Sequence, residues 1–144
     1  MIDWVTARLP CTNTGDICDG KVIKLNADDS EIEWTTQTRL SLTGSHDSSI
    51  SIRSLTPQTI EISGNPAKWL QGHNLFGSND LRLLMWVFFN RLIEFYDIGL
   101  NPTIQDLERI KEGRYTVSRV DINETWLLKN RADVMAWIRA AGEK

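Results

Sequence analysis

The chain has 144 residues, enough for one domain with its own hydrophobic core, and its 41% apolar and 24% charged residues are those of an ordinary globular protein. A net charge of −3 and a pI near 5.4 exclude binding to nucleic acid through bulk positive charge, and leave only a local basic groove for that role. The most apolar stretch, Leu81 to Ile98, is interrupted by Arg82, Asn90, Arg91, Glu94 and Asp97, so no membrane span is expected.

The first half reads as short strands between turns. Ile2 to Leu9 is a candidate strand closed by Pro10. Lys21 to Leu25 and Glu31 to Thr35 are expected to pair through the turn Asn26-Ala27-Asp28-Asp29-Ser30. Alternation then marks three more strands: Arg39 to Thr43, the segment around Ile50 and Ile52, and the segment around Ile60 and Ile62. Each has one apolar and one polar face, as antiparallel sheets often do. Gly44 to Ser48, which contains His46, reads as a hairpin tip without an assigned role.

The second half switches period. Pro66 opens a short helix that Gly72 closes. Ser78 or Asn79 is the expected cap of a long helix to about Asp97, with Asp80 in its first turn. Its stripe of Leu81, Leu84, Met85, Phe88, Leu92 and Phe95 is widened by Trp86, Phe89, Ile93 and Tyr96, so cover on more than one side is expected. Pro102-Thr103 opens a helix to about Lys111, stopped by Gly113. A strand follows over Tyr115 to Ile122, and a last helix over Ala132 to Ala141. These elements predict a single α+β domain over residues 1–144, an antiparallel sheet with helices packed mainly on one face.

Cys11 and Cys18 lie close in sequence. The start Met1-Ile2-Asp3-Trp4 lacks a secretion-signal pattern, so two free thiols in a cytoplasmic protein are expected rather than a disulfide. The pair is too few for a structural zinc site, and neither histidine is near it in sequence.

Two segments carry chemistry. In the strand Thr116 to Asn123, alternation puts Arg119, Asp121 and Asn123 on one face and Val120 and Ile122 on the other. Asp121 there is a candidate ligand for a hard divalent cation, Glu61 on another strand could add a second carboxylate, and Arg119 offers a planar fork to phosphate. The same residues are also what a solvated strand face carries. The other segment is Pro66-Ala67-Lys68-Trp69-Leu70-Gln71-Gly72-His73-Asn74-Leu75-Phe76-Gly77-Ser78-Asn79-Asp80-Leu81. Here Lys68, Gln71 and Asn74 are candidate DNA contacts and His73 a candidate catalytic group, although Gln71 and Asn74 could equally cap a turn.

This second block resembles the gene II replication proteins of filamentous phages. Met1-Ile2-Asp3 with Arg8-Leu9-Pro10, and Ser118-Arg119-Val120-Asp121, are similar to that family as well, in the family's order. The resemblance implies the amino-terminal part of a rolling-circle initiator, a protein that nicks and rejoins an origin strand, on the rolling-circle initiator fold. It implies phage or plasmid origin DNA as partner, host replication proteins as further partners, a bacterial cytoplasm, and magnesium or manganese as cofactor. In these terms His73 and Arg119 are catalytic, Asp121 and Glu61 hold the metal, and Lys68, Gln71, Asn74 and Arg119 contact DNA. The wider class uses a tyrosine nucleophile, and many of its members bind metal through a His-hydrophobic-His pair. This sequence has no such pair, and Tyr96 and Tyr115 do not match the nucleophile's position, so the chain alone is not expected to nick DNA. The alternative is a non-catalytic regulator that binds the origin or the full initiator. A protein-interaction domain using Trp34 and Trp69 is a third reading.

Overall fold

A computed structural model describes residues 1–73, 77–124 and 126–142. Within them, seven strands and four α-helices follow in chain order: β1 (Ile2–Pro10), β2 (Gly20–Leu25), β3 (Ile32–Thr38), β4 (Leu40–Thr43), β5 (Ser49–Thr56), β6 (Thr59–Gly64), α1 (Pro66–Gln71), α2 (Leu81–Phe95), α3 (Ile104–Lys111), β7 (Thr116–Ile122) and α4 (Arg131–Gly142). The expected strand and helix order is what forms. Five strands make one sheet in the order β4-β5-β6-β1-β7, antiparallel throughout, and β2 and β3 pair as a separate ribbon.

Alternation decides which face is covered. In β1, Val5, Ala7 and Leu9 are fully buried, whereas Trp4, Thr6 and Arg8 point to the other side. A register shift between Ile2 and Trp4 lets Ile2 join the buried face as well. Ile50, Ile52, Ile60 and Ile62 continue that face across β5 and β6, and α1, α2 and α3 cover it with Trp69, Leu84, Met85, Phe88, Phe89, Leu92 and Ile110. Pro10 is tolerated at the end of β1 because β7 pairing stops at Arg8, so no partner there needs its missing N–H.

The helix boundaries have local causes. Asn65 Oδ1 accepts the Lys68 amide at 2.8 Å, Pro66 occupies the first turn, and Gly72 ends α1 at φ 82°. The cap of α2 is Asp80, not Ser78 or Asn79: its carboxylate accepts the Leu83 amide, and Ser78 Oγ accepts from Asp80 N instead. Phe95 also departs from the expected stripe. It lies at the last turn of α2, 65% exposed, with the Arg91 guanidinium 5.4 Å from its ring centre. Thr103 and Asp106 form a full capping box on α3.

Trp69 is buried, its Nε1 donating to the Leu42 carbonyl at 3.0 Å, so it is a core anchor and not a contact surface. Trp34, on the ribbon, is exposed as expected. Both cysteines are free thiols; burial, then the nearby Asp106 charge, pushes Cys11 up to about 12. No helix among the described residues is long and apolar enough to cross a membrane. α4 buries none of its residues and leaves Val134, Met135, Trp137 and Ile138 exposed.

Candidate functional site

Among the described residues the helices leave one sheet face open, and side chains from all five strands or their ends meet there. Antiparallel partners share a face, so Trp4 stands beside Asp121, Thr6 beside Arg119 and Ser63, and Arg8 beside Glu61, which in turn pairs with Arg53. Arg8, Arg39, Arg53 and Arg119 bring four positive charges, against Glu61 and Asp121 with two negative ones. These six side chains therefore carry +2 on a chain whose net charge is −3.

At the end where β1 begins, Arg119 Nε and Nη2 donate to the two oxygens of Asp121 at 2.9 and 2.6 Å. The bidentate pair forms because residues two apart on a strand share a face. Hydrogen bonds from Arg119 hold the Asp121 carboxyl below the usual carboxylate range. The same guanidinium stands 5.7 Å from the Trp4 ring centre. Trp4, 37% exposed, is fixed from the side by its Nε1 bond to Ser63 Oγ at 3.3 Å, and Ser63 Oγ is 2.8 Å from Thr6 Oγ1. A partly exposed indole anchored through its Nε1, with a guanidinium over its ring, suits stacking of a planar ring.

Farther along β1, Glu61 is surrounded by arginines. Its Oε1 accepts from Arg39 Nη2 at 2.9 Å and from Arg53 Nε at 3.0 Å, and Arg53 Nη2 also lies 2.9 Å away. Arg8 approaches Oε2 at 3.7 Å. Burial alone would raise the Glu61 pKa; hydrogen bonds and charge from Arg39 and Arg53 outweigh it and hold the carboxyl below its ordinary value.

This arrangement corrects the shared metal site expected of Asp121 and Glu61. Their β1 neighbours, Trp4 and Arg8, are four residues apart, about 13 Å along the strand, and the carboxylates also lie on opposite flanks of β1, about 10 Å apart across the sheet. One ion cannot bind both. Glu61 is in addition ion-paired with three guanidiniums, and among the described residues no three His, Cys, Asp or Glu side chains converge.

The two segments singled out in the sequence do meet at one end of the sheet. Ile2 N donates to Ser78 O at 3.0 Å, which returns the loop after α1 to the start of β1, where Asp121 flanks Trp4. His73 is exposed in that loop, with its carbonyl accepting from Gln71 Nε2 at 3.1 Å. Lys68 and Gln71 are exposed on α1, which belongs to the helical layer, so they do not share the open face with Arg119. Asn74 lies outside the described residues. Tyr96 donates its hydroxyl to the Thr43 carbonyl and Tyr115 packs against the core, so neither lies on the open face. Sequence reasoning does not find Trp4, Thr6, Arg8, Arg39 or Arg53. For β1 the signal is present, since Trp4, Thr6 and Arg8 alternate with the buried Val5, Ala7 and Leu9.

The fold and face together define a small α+β domain whose antiparallel sheet is covered on one side and carries a mixed, locally electropositive surface on the other. Residues 1–144 match the family model for the amino-terminal region of the gene II type of phage replication-associated protein. The chain is 39% identical over 147 residues to the replication-associated gene II protein of Enterobacteria phage I2-2. That match covers 98% of this chain and 42% of the relative, so the chain spans about two-fifths of the relative's length. No solved structure matches. The chain belongs to the family of gene II replication-associated proteins, as their amino-terminal region.

Proposed function

We propose that the domain binds a single-stranded or unpaired segment of a phage or plasmid origin on its open sheet face. A base stacks on Trp4, and Arg119 exchanges part of its contact with Asp121 for a backbone phosphate. The observation that carries this reading is the exposed Trp4 held between Ser63 and the Arg119–Asp121 pair. Of the two carboxylates, Asp121 is the exposed one, and it suits a magnesium or manganese ion shared with a phosphate oxygen, since such ions are commonly held by one or two carboxylates plus phosphate. Arg119 and His73 are the groups proposed to act on the strand to be cut. Lys68 and Gln71 are proposed as flanking contacts from the helical layer.

A binding titration with a labelled single-stranded origin oligonucleotide tests this. Trp4→Ala is expected to weaken binding by about 2 kcal/mol, roughly thirtyfold. Arg119→Gln is expected to flatten the salt dependence by about one phosphate contact. Wild-type affinity and salt slope in both variants would sink the proposal. The second reading is a regulator that binds without cutting; Tyr96 and Tyr115 lie away from the face, so neither reading expects a covalent DNA adduct on them.

A further inference from the structure

We propose that Arg8, Arg39 and Arg53 form a second, preorganised phosphate site, which holds the nucleic-acid backbone about 13 Å along β1 from Trp4. The inference rests on the reading that this face binds DNA. One arginine would neutralise Glu61; three leave an excess of two positive charges around it. Crowding like charges around one carboxylate is unfavourable unless another anion shares them. The carboxylate is used unevenly, with Oε1 taking both close partners and Oε2 only Arg8 at 3.7 Å.

Glu61 is 7% exposed at its side chain, whereas Arg53, Arg39 and Arg8 are 26, 42 and 60% exposed. The carboxylate thus sits at the base of the cluster and the guanidiniums reach outward. Each guanidinium has five N–H donors in a fixed plane. Arg53 is locked through Nε and Nη2 to Glu61 and through Nη1 to the Gln37 carbonyl at 3.2 Å. Arg39 and Arg8 spend fewer donors on Glu61, so they are the arms that would close on an incoming phosphate oxygen. Glu61 supplies the order that loose arginines lack, which lowers the entropic cost of binding.

The test is a salt series with a labelled single-stranded oligonucleotide, run on wild type, Arg8→Gln, the Arg8→Gln/Arg39→Gln pair and the matching lysine pair. Arg8→Gln serves as a fold-safe variant, since Arg8 is exposed and its contact is long. The glutamine pair is expected to bind about tenfold more weakly at low salt, with the slope of log K against log salt reduced by about 0.7 for each phosphate no longer neutralised. The lysine pair should recover the slope but only part of the affinity, because a point charge lacks the planar fork. Unchanged slope and affinity in both glutamine variants, with Trp4→Ala still weakened, would overturn the phosphate site and leave the Trp4 reading standing. No oligonucleotide binding by wild type would remove both. Inorganic pyrophosphate, titrated separately, covers the other source: if it binds and the oligonucleotide does not, the cluster takes free phosphate and the backbone proposal is overturned.

Discussion

Replacing Asp106 with alanine is expected to lower the unfolding free energy by about 3 kcal/mol, since a buried carboxylate accepting several hydrogen bonds is removed and its donors are left unpaired. Asp106 Oδ2 accepts from Thr12 N, Thr12 Oγ1 and Thr103 N, each at 3.0 Å, and its own amide donates to Thr103 Oγ1. The residue therefore caps α3 and pins that helix to the end of β1. Burial would raise its pKa, but the bonds from Thr103 and Thr12 outweigh burial and leave it below the ordinary aspartate value. A group whose folded pKa is depressed contributes its stability above the unfolded pKa and loses it as pH falls through the folded one. The deficit of Asp106→Ala against wild type should therefore be full at neutral pH and shrink below about pH 4. Urea unfolding at both pH values reads this directly, and a deficit that persists undiminished in acid would assign the loss to packing rather than to the charge.

Glu61→Ala is the second large effect, with an expected cost of about 2 kcal/mol, less than the roughly 3–5 kcal/mol for removing one partner of a fully buried ion pair. The arginines left behind are 26 to 60% exposed, so water takes up much of their charge and the cost is smaller. Arg53, the least exposed, accounts for most of what remains. For a chain of this size the change corresponds to about 4–8 °C in melting temperature by calorimetry. A shift under about one degree would mean that the arginines lose nothing when their carboxylate goes, contrary to Glu61 acting as the organiser of the cluster.

Much of the architecture is legible in the sequence, because strand alternation and helix punctuation are local signals. Asn65-Pro66 and Gly72 bracket α1 as their chemistry dictates, and Thr103 with Gly113 brackets α3. Sequence and structure part where neighbouring residues compete for one role. Ser78, Asn79 and Asp80 are all good caps, and only the chain path selects Asp80. Trp69 is named with Trp34 in the interaction-domain reading, but its burial and its contact with Phe88, ring centres 5.2 Å apart, depend on α2 packing on α1. The site is less legible than the fold. Arg119 and Asp121 are neighbours in sequence, whereas Trp4, Ser63 and Arg119 come from three strands. Arg8, Arg39 and Arg53 meet on Glu61 only once β1, β6 and β5 lie side by side and β4 pairs with β5. Long-range register, not composition, makes that surface basic on an acidic chain.

Binding on the open sheet face is tested most directly by mapping amide chemical shifts by NMR while a single-stranded origin oligonucleotide is added. The largest changes are predicted at Trp4, Thr6, Ser63, Arg119 and Asp121, extending to Arg8 and Arg53, with Leu83 and Val87 on the helical layer little affected. Changes confined to the helical layer or to α4, with the open sheet face silent, would contradict it.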